Sequence, residues 1–218
     1  MAATPWSPED SGAETPAYWN EACVYLAERD PILGRWIATY GLARLRSRND
    51  AFATLARSIV GQQISVKAAQ SVWDRLLGQM QPASPQALLA LSTDTLRSVG
   101  MSARKVEYLR DLARHCIEGK VHTAAWAGMD DEAIIKELVA IRGIGRWTAE
   151  MFLIFHLMRP DVLPLDDIGL LRGISQNYLD GAAIARRQAL DIASRWAPYR
   201  SVATWYIWRS LDPIPVEY

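Results

Sequence analysis

Two aspartates, Asp166 and Asp167, stand side by side after Leu163-Pro164-Leu165. A carboxylate held in place can serve as a general base or stabilise a cation developing in a transition state. It can also share a metal with further carboxylates. Proline keeps the residue before it extended, so the pair is expected to open a helix over 168–174. An aspartate at such a start is most often only an N-cap. Two adjacent ones point to a division of labour, with Asp166 capping the helix and Asp167 directed elsewhere. A magnesium nuclease would want further well-placed carboxylates, and no obvious set is present. His115, His122 and His156 do not combine with Cys23 and Cys116 at zinc-site spacing, so no metal is expected.

Upstream lies Ile141-Arg142-Gly143-Ile144-Gly145-Arg146-Trp147-Thr148-Ala149, a Gly-x-Gly between two apolar helical patterns. Ile134, Ile135, Leu138, Val139 and Ile141 share one face of a first helix. Gly143 can adopt positive φ and end it. Gly145 lets the chain turn tightly into a second helix near Arg146, whose exposed N–H groups and dipole favour an anion. Neither glycine presents a side chain that would hold a phosphate away. This is the logic of a helix–hairpin–helix, which grips nucleic-acid backbone without reading sequence. From the Gly-x-Gly alone, an ordinary tight helix–helix turn fits equally well. A Rossmann fingerprint would need glycine where Thr148 stands, after a strand, and no Walker A lysine pattern occurs.

The elements that must carry these residues are helical. Alternating β-branched runs are missing, while helix punctuation is abundant. Ser84-Pro85 offers a cap and a first-turn proline. Ser102 and Asp130 precede helical patterns over 103–116 and 131–141, and Gly78, Gly100, Gly119 and Gly128 sit where helices should stop. Roughly ten short helices are expected. Phe52, Leu55, Ile59, Val66, Ala69, Val72 and Leu76 are apolar at helical spacing, interrupted by Gly61-Gln62-Gln63-Ile64-Ser65. On its face that interruption is a joint between two helices with Ser65 capping the second. The stretch 151–158 is apolar all round except for His156, which marks a buried central helix. Trp196, Trp205 and Trp208 lie on and before a last helix over 201–210, and aromatics so spaced are more often core than ligand platform.

The chain has 218 residues, half of them hydrophobic, and formal net charge zero. Residues 1–30 hold six acids and one base, which leaves +5 on the remainder, a weak sign of a polyanionic partner. No apolar run reaches the roughly 18 residues of a membrane span. Two cysteines are too few for a disulfide framework, and no secretory leader pattern opens the chain. The expectation is a cytoplasmic protein, nucleoid-associated if bacterial. Residues 1–16 read as a flexible tail.

Four segments, in order, resemble the helix–hairpin–helix DNA glycosylases (HhH-GPD), and more closely the AlkA-like 3-methyladenine DNA glycosylase II branch. They are Ser58-Ile-Val-Gly-Gln-Gln-Ile-Ser65, Ile144-Gly-Arg-Trp-Thr-Ala149, Leu165-Asp-Asp167, and Arg195-Trp-Ala-Pro-Tyr-Arg-Ser201 through Trp208. The resemblance spans about residues 20–212. It implies an all-α fold of two helical subdomains with a cleft between them. One is discontinuous, 17–49 plus 165–218; the other is a bundle over 50–164 ending in the hairpin at about 132–158. It implies that Asp167 is the catalytic aspartate. Trp147 stands where bifunctional relatives carry a Schiff-base lysine, so hydrolysis without lyase activity is expected. Trp147 and Trp208 match aromatic positions of the base pocket, and Met151 falls at a further one. Gln63 takes the position of the residue that wedges into the gap left by an extruded base. Gln62, Gln63, Ser65, Arg142, Gly143, Ile144, Gly145, Arg146 and Thr148 would meet the DNA.

The clustered cysteines of the iron–sulfur branch are absent, so no such cofactor is expected, although a monovalent cation could bridge the hairpin to phosphate. Duplex DNA containing damaged bases would be the partner of a monomer. The chain departs from the pattern at Met151, at Gln63, which is not apolar, and at Arg142, where many relatives have proline. It also has too few residues for an added N-terminal β-domain. The implied activity is excision of alkylated bases of the 3-methyladenine and 7-methylguanine type. A glycosylase for oxidised, deaminated or mispaired bases is one rival, and a non-catalytic DNA-binding module is the other.

Overall fold

The computed structural model describes residues 16–41, 45 and 50–212. The expected tail therefore lies outside the described residues except for Pro16. Thirteen α-helices, one 3-10 turn and no strand occur among the described residues. In chain order they are α1 (Trp19–Arg29), α2 (Pro31–Tyr40), α3 (Ala51–Gly61), α4 (Val66–Gln79), α5 (Pro85–Ala90), α6 (Thr93–Ser98) and α7 (Ala103–Ile117). There follow α8 (Thr123–Trp126), α9 (Asp131–Val139), α10 (Arg146–Phe155), α11 (Ile168–Tyr178), α12 (Arg186–Ala193), the 3-10 turn Ser194–Trp196 and α13 (Arg200–Leu211). The count exceeds ten in part because α6 and α8 are single-turn or little longer, too short to show a hydrophobic period.

Local chemistry sets most starts. The side chains of Asp30, Asp50, Ser65, Ser84, Ser92, Ser102, Asp130 and Asp167 each accept a hydrogen bond from a backbone N–H in the first turn of the helix that follows. Gly100 and Gly119 follow their helices at positive φ. Gly78 does not stop a helix: it lies inside α4, which continues to Gln79.

Packing falls into two sets of neighbours. The first joins α1 with α2, both with α13, and α13 with α11. The second joins α3 with α4, α7 and α10, α5 and α6 with α7, and α9 with α10. In α10, Met151 through Phe155 are all buried, as an all-apolar pattern requires, and Thr148, Ala149 and Glu150 are buried beside them. That helix ends before His156, so Leu157 and Met158 lie beyond it. The α11–α13 crossing is close because Gly169 and Gly173 share one face of α11. A Cβ on Gly173 would lie 2.4 Å from a methyl carbon of Ile207. This approach brings Trp208, the next residue of α13, to the start of α11.

Candidate active site and nucleic-acid interface

Asp167 is the N-cap of α11, and its Oδ1 accepts from the Leu170 N–H at 2.5 Å. The same oxygen accepts from Trp208 Nε1 at 2.8 Å, and Oδ2 accepts from Trp147 Nε1 at 2.9 Å. One carboxylate thus joins α10, α11 and α13, with both oxygens aimed by indole N–H donors. Asp166 does not cap the helix. Its side chain is exposed and ion-paired with Arg186 at the start of α12. The physical reason lies in the turn: Asp167 N–H donates to the Pro164 carbonyl at 3.0 Å, which leaves Asp167 as the last residue before helical backbone begins.

Trp147 and Trp208 are half-buried, and their edges are committed to Asp167. Trp208 also stacks on Phe155, ring centroids 5.8 Å apart and planes 9° from parallel, so only its other face can meet a ligand. Met151, one turn beyond Trp147, is buried at 2 % exposure. Phe155 had no signal in the sequence beyond its place in an apolar run.

At the hairpin, Gly143 has φ +85, and a Cβ there would lie 2.2 Å from a ring carbon of Tyr108. Gly145 is different: its φ is −90, open to any residue, and a Cβ would meet nothing within 4 Å. No side chain caps α10. Ile144 is buried at 3 % and Thr148 at 7 %, so toward solvent they can offer chiefly main-chain groups. The exposed Arg142 donates its N–H to Asp111 Oδ2 at 2.9 Å. Arg146 turns away from the hairpin tip: Nε meets Glu150 Oε1 at 3.0 Å and the guanidinium pairs with Glu132. Burial pushes the Glu150 carboxyl above its ordinary range, opposed by Arg146.

The interrupted stretch before α4 does more than join two helices. Gln62 Nε2 donates to the Gly143 carbonyl at 2.8 Å, strapping this loop to the hairpin. Gln63 is exposed at φ 60, a conformation that costs a non-glycine residue energy. Ser65 caps α4 through Ala68 N–H at 3.3 Å. Gln62, Gln63, Gly143, Ile144 and Gly145 line one cleft of about 390 Å³ together with Ser102, Arg104, Lys105 and Tyr108 from the start of α7. Arginine at 104 and lysine at 105 are visible in the sequence, but nothing local ties them to residues forty positions away. Among the described residues, no group of three His, Cys, Asp or Glu side chains is arranged to hold a metal. No helix among them is long and apolar enough to cross a membrane.

A helical fold with a bare Gly-x-Gly hairpin, strapped to a second loop and followed by a cradled aspartate, defines a class. Residues 56–198 match the model of the HhH-GPD superfamily base excision DNA repair proteins, and the chain belongs to that superfamily. It is 31 % identical over 182 residues to DNA-3-methyladenine glycosylase 1 of Schizosaccharomyces pombe, covering 82 % of this chain and 80 % of that one. To DNA-3-methyladenine glycosylase 2 of Escherichia coli it is 32 % identical over 187 residues, covering 81 % of this chain and 63 % of that protein. Among solved structures, the Bacillus halodurans DNA-3-methyladenine glycosidase superposes with TM-score 0.80 at 33 % identity, covering 92 % of each chain. The Schizosaccharomyces pombe 3-methyladenine DNA glycosylase Mag1, in complex with abasic DNA, gives 0.78 at 28 %, covering 87 % of this chain and 96 % of that one.

Proposed function

We propose that this protein is a monofunctional DNA glycosylase that excises alkylated bases of the 3-methyladenine and 7-methylguanine type in base excision repair. The observation that carries the reading is the Asp167 carboxylate, gripped by the indole N–H groups of Trp147 and Trp208 in a member of this superfamily. The relatives named 3-methyladenine glycosylases support the substrate class.

In this reading the enzyme works as a monomer on duplex DNA. It extrudes the damaged nucleotide at a cost of a few kcal/mol. Contacts of the hairpin N–H groups with a phosphate offset that cost, as does Gln63 filling the gap. The face of Trp147 and the open face of Trp208 receive the base, and a cationic base gains further from aromatic faces. Alkylation at a ring nitrogen makes the base a good leaving group, so little acid catalysis is required. As the glycosidic bond lengthens, positive charge builds on the sugar. The Asp167 carboxylate stabilises it and orients or deprotonates the attacking water. Trp147 offers no amine for a Schiff base, so the abasic product strand stays intact. A monovalent cation at the hairpin would be held by main-chain carbonyls, since no carboxylate lines that cleft, and would supply positive charge toward a phosphate.

The test is base release from methylated duplex DNA. Free 3-methyladenine or 7-methylguanine, without strand scission, is the expected result. Release only of oxidised, deaminated or mispaired bases would replace the substrate class. Binding without any release would leave a DNA-binding module.

A further inference from the structure

The cleft beside the hairpin contains side chains that no part of the proposed chemistry uses. Its wall opposite the glycines is the first turns of α7, which supply Arg104, Lys105 and Tyr108. Two cations line it and no carboxylate does. Lys105 Nζ donates to the Val60 carbonyl in the last turn of α3 at 2.8 Å, which leaves it two further N–H donors. Arg104 is exposed, and no hydrogen bond or ion pair engages its guanidinium among the described residues. The hydroxyl of Tyr108 is likewise unengaged there, while its ring fills the space under Gly143. By contrast Arg146, which adjoins Gly145, is bound to Glu132 and Glu150, and Arg142, which adjoins Gly143, does not line the cleft. The charge available to an anion at this cleft is therefore on α7, not on α10.

We propose that Arg104, Lys105 and the Tyr108 hydroxyl form a second phosphodiester site, continuous with the hairpin, that takes a DNA backbone phosphate neighbouring the one held at Gly145. The inference rests on the DNA-binding reading above. The planar guanidinium suits two phosphate oxygens at once, the tyrosine hydroxyl donates to one, and Lys105 adds charge from a fixed position. Such a site strengthens binding to damaged and undamaged duplex alike, because phosphates carry no sequence or lesion information. Lys105 and Tyr108 also buttress the end of α3 at Val60 and the hairpin at Gly143, so Arg104 is the clean handle. Tyr108→Phe keeps the ring under Gly143 and removes only the donor.

The experiment is duplex binding by fluorescence anisotropy across a salt series, for undamaged and abasic duplexes. The proteins are wild type, Arg104→Ala, Tyr108→Phe, Gly145→Asp and Lys120→Ala. Lys120, paired with Glu118, lies past the other end of α7 and controls for net charge. Arg104→Ala is expected to lose about three- to tenfold in affinity for both duplexes. The slope of log K against log salt should shrink by about 0.9, the share of one phosphate contact. Tyr108→Phe should lose roughly two- to threefold with its slope unchanged. Wild-type affinity and slope in Arg104→Ala, with binding lost in Gly145→Asp, would overturn the second site and leave the hairpin standing. An equal loss in Lys120→Ala would overturn it in favour of a net-charge effect. No duplex binding by the wild type would overturn both readings.

Discussion

At the residue scale, Asp167 is held by three donors of two kinds. The Leu170 N–H makes it a helix cap, and the two indoles orient its oxygens. Asparagine caps a helix about as well as aspartate, so Asp167→Asn preserves the start of α11. It removes the charge and turns an NH₂ group toward one indole donor. The expected outcome is damaged-DNA binding within about threefold of wild type and base release slowed by at least about a hundredfold, read by single-turnover assay. Near-normal turnover would sink the assignment. Trp208→Phe keeps a ring on Phe155 and deletes one donor. Base release should drop by roughly tenfold, the loss of about 1.4 kcal/mol in the transition state, with an unchanged melting temperature. The aspartate pair was legible in the sequence, but the allocation of roles was not. Which of two adjacent residues caps a helix is decided by the turn at Pro164, and local spacing does not set that turn.

At the element scale, the two hairpin glycines serve different ends. Gly143 has positive φ and lies over the Tyr108 ring, so Gly143→Ala strains the backbone and clashes. A loss of at least about 1–2 kcal/mol is expected from the backbone alone, visible in chemical denaturation. Gly145→Ala meets nothing and should fold like wild type, yet crowd the approaching phosphate. Gly145→Asp adds repulsion and should weaken binding to all duplexes alike. If both alanine variants lost stability equally, the division would be wrong. The Gly-x-Gly pattern was readable; Tyr108, Gln62 and Asp111 as its supports were not. They lie far away in the chain, and each looks like an ordinary helix-surface or loop residue until the helices dock.

At the scale of the whole molecule, one buried carboxylate ties distant parts together. Asp30, 1 % exposed, caps α2 through Oδ1, and Oδ2 accepts from Tyr178 Oη at 2.7 Å and Trp196 Nε1 at 3.1 Å. Asp30→Ala removes the cap and strands two donors, so it should cost on the order of 3 kcal/mol in urea unfolding. Glu150 is the opposite case. Burial raises its pKa despite Arg146, so the folded state holds its proton more tightly than the unfolded chain does. That contribution to stability is full at pH below the unfolded carboxylate range and is lost as pH rises through the folded pKa. Glu150→Gln removes the ionisation penalty. The variant should melt above wild type at pH 8, and the gap should close as pH falls to 4. A gap that widens toward acid would refute the sign.

The sequence alone determined the helical class, most helix starts, the anion-ready hairpin and the candidate aspartate. These features depend on residue type and short-range spacing, where capping, turn chemistry and hydrophobic period act. Only the tertiary structure decided that Trp147 and Trp208 grip one carboxylate, that Gln62 straps the two loops, and that Arg104 and Lys105 rather than Arg146 line the cleft beside the glycines. Such pairings join residues tens to more than a hundred positions apart. They form only when buried faces such as the glycine-lined crossing of α11 and α13 fix the helices against one another.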